Sequence, residues 1–579
     1  MIAFAPMKGF QDADLFEKIW LWISTHGQSN YVQFTFAVGV IALLLAAVAW
    51  RTLILHRRNR TDPETPNRFR RWADRMITAA LLIAALCSAT QYFYGSRNGR
   101  SWLHTWDLYH QVIGSKYFSE LGYFKIYECT WEIDEINSGH FKNVPKMRDI
   151  ETLRVPPIEE VIGERDCVDR FDDPARLEQF AKDIDDFYVL ASATSSMWNK
   201  LFTDKGFNGT PFHAWILGQV TADVEIVSDE YVWLGLLDVW LMLLAFAGIA
   251  WAWDLKTASI AALFFFANFP NRFFHMGGSI LRFDYIATLI FALIAMKKDR
   301  FGIAGVCVAW ATAERAFPGI FAAGLAFKAG VELVATRKLR REYLNFGLGF
   351  AGAGLILFGL SLSLGDSISA GIDNWRAWLH NMMVHTEHTR GFRVGFKHMF
   401  MMDGNVTDRN HFVGWSKKTA FFHTREYFYY LTLAVLFAPL MLAVRKLDAV
   451  TFAALFAAMG FFMLTVATRY YYSMMVLFIL VDRDLFKDRK QLLLVSLLFL
   501  TGAWLTKIQM TTGSIAFHYN TATSAAFAGF VVILGAMLWI DPWLRDRNVV
   551  NAAPEPPKAS AEPGPAIAEQ ASDGAGPGS

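Results

Sequence analysis

Ala449-Val-Thr-Phe-Ala-Ala-Leu-Phe-Ala-Ala-Met-Gly-Phe-Phe-Met-Leu-Thr-Val-Ala-Thr468 carries no charged residue from end to end. A hydrocarbon layer of about 30 Å needs roughly 20 apolar residues of α-helix, so this run reads as a membrane span. A helix satisfies its own backbone polar groups, which an isolated strand in lipid does not. Working outward, similar runs occupy 31–51, 76–94, 231–253, 257–272, 281–296, 344–364, 427–444, 470–482, 491–508 and 523–541. The stretch 302–329 is equally apolar but is interrupted at Ala313-Glu-Arg-Ala-Phe-Pro318, with Lys and Arg on both flanks. It predicts a hairpin that enters and returns to the same side. The expectation is an all-α polytopic protein with about 11–12 transmembrane helices, a re-entrant hairpin and a mostly helical external lobe.

Composition agrees. The 579 residues are 54% hydrophobic and 15% aromatic, with 19% charged, against about 25% charged in soluble domains. Mean hydropathy is +0.26. The net charge of +2 excludes a generally basic nucleic-acid binder.

Charge is segregated along the chain. Basic junctions stand at 51–75, at Lys297 to Arg300, at Arg337 to Arg341, at Arg445-Lys446 and at Arg483 to Lys490. Placing them all in the cytoplasm gives one alternating topology with the N-terminus outside. The expected organisation is an interfacial segment over 1–30 and two membrane helices with a basic loop over 31–94. An acidic external lobe covers 95–230, membrane helices and hairpin 231–364, a His-rich external loop 365–426, helices 427–541, and a disordered cytoplasmic tail 542–579. Between 101 and 230 there are 24 acids and 12 bases; between 365 and 426 there are 8 bases, 6 acids and 6 histidines. The tail, rich in Pro, Ala, Gly and Ser, has too little apolar surface to order itself. The start lacks a basic segment followed by an apolar core, so no cleavable signal is expected.

The lobe opens with Trp102-Leu-His-Thr-Trp-Asp107-Leu-Tyr109-His110, then Gly114-Ser-Lys116-Tyr117-Phe118, Gly122-Tyr123 and Tyr127. Apolar spacing over Val112–Phe118 predicts an amphipathic helix near the membrane surface. Asp107, among aromatic residues close to a span, suits a general base with reduced hydration. It equally suits a helix N-cap, a position where Asp is preferred.

This arrangement resembles the first external loop of the GT-C superfamily, polytopic glycosyltransferases that use polyprenyl-phosphate-linked sugars. The likeness rests on 102–127 and, more loosely, on the layout of spans and loops from 76 to 541. It implies an inverting hexosyl or pentosyl transferase in a bacterial cytoplasmic membrane, with its active side periplasmic or extracellular. Asp107 would be the catalytic base. The partners implied are a polyprenyl-phosphate-linked sugar donor, a lipid or glycan acceptor and membrane lipid. Asp107 stands alone rather than beside a second acid, which leaves a divalent cation open as a cofactor. The other expected substrate contacts are Tyr109, His110 and Lys116 and, to stabilise the departing phosphate, Arg390, Arg393, Lys397, His398 and Arg469. A transporter or a non-catalytic assembly subunit is the alternative. The intramembrane Glu314, Arg315, Arg282 and Asp284 favour transport, and the absence of an inverted repeat opposes it.

Arg282 and Asp284, just inside a span, read as a structural pair or as lining the site, and Glu314 and Arg315 in the broken hairpin pose the same question. His380, His385 and His388 lack the spacing and neighbours of a zinc site, and Asp183, Asp185 and Asp186 read as a solvated helix face, so no metal ligands are expected. Met382, Met383 and Met399–Met402 read as packing residues. The segment Lys205–Trp215 is turn-rich and suits a sugar-contacting or headgroup-anchoring loop. Cys129 and Cys167, both in the lobe, predict a disulfide, while Cys87 and Cys307 lie in spans.

Overall fold

The computed structural model describes residues 39, 68–93, 102–163, 165–190, 195–268, 271, 273, 277–387, 393–402, 412–481, 489–512 and 517–540. The expected span 31–51, the segment 1–30 and the tail 542–579 lie outside the described residues, apart from Gly39. The chain is mostly helical, at 75%. Three helices are long and apolar enough to cross a membrane: Gly319–Thr336, Arg341–Leu364 and Asn520–Leu538. Asp229–Gly235 and Leu237–Ala252 together make a fourth, bent by 41°. Six shorter apolar helices accompany them, Arg75–Thr90, Leu255–Ala267, Phe301–Glu314, Glu426–Leu442, Ala449–Leu464 and Gln491–Leu505. The expected count of 11–12 full-length spans is thus met only in part among the described residues.

Local chemistry explains where several elements begin. Asp254 caps Leu255–Ala267 by accepting from Thr257 N at 2.7 Å, and Asp448 caps Ala449–Leu464 through Thr451 N at 2.7 Å. Each such cap stabilises its helix by about 1 kcal/mol. One expectation is corrected. The run 470–482 forms a 3₁₀ helix, Arg469–Ile479, whose residues are nearly all buried. An apolar run marks burial whatever its helical pitch, so hydropathy alone could not separate the two. The 302–329 stretch forms two helices, Phe301–Glu314 and Gly319–Thr336, joined by a break at 315–318. Phe301–Glu314 crosses Arg341–Ser361 closely, because Gly305 and Gly349 leave no side chain where the partner backbone passes.

A second core lies within 103–237, built around Tyr109, Tyr117, Phe180, Phe187, Trp198 and Phe202. Cys129 and Cys167 are joined by a disulfide, Cα–Cα 5.2 Å, tying helix Ile126–Asn137 to the segment before helix Pro174–Leu190. Val112–Phe118 is not an interfacial amphipathic helix. All seven of its residues are buried, in a π-helical turn, Tyr109–Ile113, followed by the short helix Gly114–Lys116 and the start of Phe118–Leu121. A two-residue antiparallel pairing, Arg393–Val394 with Ala467–Thr468, carries the basic loop onto the start of the 3₁₀ helix.

Candidate functional site

Asp107 is not a helix N-cap. The cap of Thr105–Leu108 is His104, whose Nδ1 accepts from Asp107 N at 3.1 Å. Asp107 therefore sits inside the first turn, where a carboxylate meets the positive end of the helix dipole, and its side chain is released for other contacts. It is 9% exposed. His104 N donates to Gly278 O at 3.2 Å. Gly278 has φ +75°, and a Cβ there would overlap the carbonyl of Trp102, so only glycine lets this turn close on 102–104. That closure delivers Arg282.

The Arg282 guanidinium lies 3.5 Å from Asp107 Oδ1. It also donates to the hydroxyl of Tyr470 and lies over the Tyr470 ring, 4.9 Å from its centroid. Its backbone N–H donates to Asp238 Oδ2 at 2.6 Å, while Asp284 accepts from Trp310 Nε1 at 2.9 Å. Arg282 and Asp284 thus do not form the structural pair that the sequence suggested. Arg315 arrives at the break after Glu314 with extended backbone, φ −144° and ψ 113°, its Nη2 3.5 Å from Leu281 O.

Burial alone would raise the Asp107 carboxyl; the charges of Arg282, His104 and Arg315 outweigh it and hold the group below the usual carboxylate range. The surroundings therefore favour the carboxylate form of Asp107, with the Arg282 guanidinium 3.5 Å away. Asp107 Oδ2, Arg282 Nε, Arg315 Nε, Asp284 Oδ1 and Glu314 Oε1 are buried with no hydrogen-bond partner among the described residues. Buried polar atoms are paired in the great majority of cases. Donors and acceptors together, these five atoms have capacity for further hydrogen bonds.

A second line of contacts closes behind Asp107. Gln111, one turn on, has its Oε1 3.1 Å from His213 Nε2, and His213 Nδ1 is 2.6 Å from Glu314 Oε2. His213 lies in the first turn of Pro211–Thr221, capped by Thr210, whose hydroxyl accepts from His213 N at 3.0 Å. The Lys205–Trp215 segment is thus packed against the 313–315 break rather than presented as an open loop; Phe207, Gly209, Thr210, Phe212 and His213 are all buried.

The other expected contacts are distributed differently. Tyr109 is fully buried and donates to Thr130 Oγ1 at 2.7 Å. The His110 ring lies between Trp106 O, at 2.8 Å, and Tyr127 Oη, at 2.6 Å. Lys116 pairs with Asp183 at 2.8 Å, both nearly inaccessible, which corrects the reading of Asp183 as solvated. These three side chains are held in the lobe core and do not join Asp107. Lys397 lies over the Phe422 ring at 4.3 Å. His398 is buried, its Nδ1 3.3 Å from Thr521 Oγ1. Arg393 pairs in register with Thr468, and Arg469 directly precedes the Tyr470 that touches Arg282. Arg390 lies outside the described residues.

Gln111 and Tyr470 were not offered for the site by the sequence; Arg282, Glu314 and Arg315 stood there only as the alternative to structural roles, and His213 only within the Lys205–Trp215 loop. The available signal was the rarity of charge within apolar runs, at Arg282 and at Glu314-Arg315. One further grouping lies in the lobe, where Asp134, His140 and Asp185 offer ligand atoms within 4.8 Å of one another. Both Asp134 oxygens already accept backbone N–H groups, from His140 at 3.0 Å and Phe141 at 2.7 Å. Comparison with protein-family models, curated proteins and solved structures finds no match for this chain.

Proposed function

We propose that this is a membrane-integral transferase of GT-C type, moving a sugar from a polyprenyl-phosphate donor to an acceptor hydroxyl on the external face. Asp107 takes the proton of the attacking hydroxyl. Arg282 and Arg315 stabilise the charge that gathers on the leaving phosphate, where oriented donors in a water-poor site act most strongly. The hydroxyl oxygen forms a bond to the sugar's anomeric carbon, the carbon–oxygen bond to phosphate breaks, and the lipid phosphate leaves with that electron pair. The supporting observation is a single one: a buried Asp107 carboxyl whose Oδ1 lies 3.5 Å from the Arg282 guanidinium. The sequence resemblance over 102–127 and the apolar helices agree with this reading.

The test is transfer in proteoliposomes containing purified protein, assayed with a panel of polyprenyl-phosphate hexoses and pentoses. Asp107→Asn keeps the shape and removes the base, so transfer should fall by about a hundred- to ten-thousand-fold. Wild-type rates from a correctly inserted Asp107→Asn protein would overturn the assignment. Solute uptake by the same vesicles that ignores the substitution would favour a transporter.

A further inference from the structure

Two observations about His213 and Glu314 combine. The first is position: the two side chains are completely buried, 0% exposed, and bring together a lobe helix and a membrane-helix break separated by about a hundred residues. The second is hydrogen-bond bookkeeping. Gln111 Nε2 donates to Asn208 Oδ1 at 3.5 Å, which turns Gln111 Oε1 toward His213. A carbonyl oxygen only accepts, so His213 Nε2 must carry a hydrogen. His213 Nδ1 then meets Glu314 in one of two ways. Either the ring is a neutral imidazole whose Nδ1 accepts from a protonated Glu314, or it is an imidazolium donating to a carboxylate.

We infer that His213 and Glu314 share one proton, held on Glu314 and donated to a neutral His213, and that this pair positions Arg315 beside Asp107. The inference rests on the proposed reading of Asp107 and deepens it. Asp107 and Gln111 stand one turn apart, Gln111 contacts His213, His213 contacts Glu314, and Glu314 directly precedes Arg315 in the chain. Arg315 in turn acts on Asp107. A third cation at His213 would stand against both Arg315 and Arg282, the charges that face it across the site. Burial comes first in holding His213 well below the usual histidine range, and these arginines push the same way, with only Asp107 opposing. A neutral pair adds no charge of its own to the surroundings in which Asp107 faces Arg282 and Arg315. An ionised pair would put an extra carboxylate next to Arg315 and spend its charge locally. His213 and Glu314 are thus positioning residues, since neither needs to touch the reacting atoms.

The two protonation schemes separate on one substitution. Glu314→Gln keeps the length and can donate an amide N–H to Nδ1, so it mimics the acid and not the carboxylate. For the purified full chain in nanodiscs, Glu314→Gln should keep the thermal midpoint of wild type from pH 6 to 8. Glu314→Ala and His213→Ala should lower it. Nitrogen NMR of histidine-labelled protein should show His213 with a protonated Nε2 and an unprotonated Nδ1, and should hold that pattern in Glu314→Gln. In the transfer assay Glu314→Ala should raise the apparent KM for the lipid-linked donor at least tenfold. A Glu314→Gln protein as damaged as Glu314→Ala, or a doubly protonated His213 ring, would overturn the shared-proton assignment. Unchanged KM and midpoint in both alanine variants would overturn the positioning role. If instead Asp107→Asn retains full transfer, it is the proposed function that fails, and the NMR and stability results still judge the pair.

Discussion

Lys116 is the residue on which the lobe's sequence and its structure disagree most sharply, and replacing it gives a quantitative test. Its ammonium sits 2.8 Å from Asp183 Oδ2, with the two side chains 2% and 4% exposed. Tyr117 Oη donates to the same oxygen at 2.8 Å. Lys116→Met fills much the same volume but leaves the Asp183 carboxylate buried with one neutral donor. Breaking a buried pair from one side costs about 3–5 kcal/mol, because the remaining charge is uncompensated. For a unit the size of this lobe, about 3 °C per kcal/mol translates that into a drop of roughly 10 °C in its unfolding midpoint. Lys116→Met combined with Asp183→Asn removes both charges while an amide oxygen still accepts from Tyr117, so it should recover more than half of the loss. The assay is thermal unfolding of the full chain in detergent, followed by the fluorescence of Trp131 and Trp198, which lie in or against the lobe core. A Lys116→Met protein that melts within about 2 °C of wild type yet no longer binds donor would refute the reasoning and return Lys116 to the substrate site.

Two further outcomes are expected. Replacing Cys129 and Cys167 by Ser opens a cross-link between residues 38 apart, worth about 4 kcal/mol in the chain-entropy model. Proteolysis of the lobe should accelerate in that variant and in reduced wild type alike; equal resistance in all three proteins would contradict it. His398 is held down at about 3, first by burial and then by Arg393 and Lys418. The unfolded chain, titrating near 6.5, therefore binds the proton that the folded state refuses. Stability is then fully present above about pH 6.5 and is lost as pH falls toward 3. His398→Gln should flatten that acid limb in pH-dependent melting curves, and an unchanged limb would show that other groups set it.

Much of the helical architecture was legible because apolar length and charge position are local properties. The apolar runs that begin at 449 and 257 became the helices Ala449–Leu464 and Leu255–Ala267, which Asp448 and Asp254 cap. The 3₁₀ course of Arg469–Ile479 was not legible, since burial on every side produces the same apolar run as a span. Asp107 could be singled out by its aromatic surroundings within a dozen residues. Its partners could not: Arg282, Arg315 and Tyr470 come from three distant segments, and a charge within an apolar run reveals that it must be paired but not with what. The same limit misplaced Lys116, whose partner lies 67 residues away. The turn at Gly278, closed on Trp102 and His104, is what brings Arg282 to Asp107, and no local pattern announces it.

The central claim is that the lipid phosphate binds between Arg282 and Arg315 within reach of Asp107. A cryo-electron microscopy map of the protein in nanodiscs with added undecaprenyl phosphate tests it most directly. The account predicts phosphate density contacted by both guanidinium groups, with Asp107 on its polar side, and loss of that density in an Arg282→Met, Arg315→Met double variant. Density held instead by Arg393, Lys397 or Arg469, with the Asp107 cluster unchanged, would contradict it.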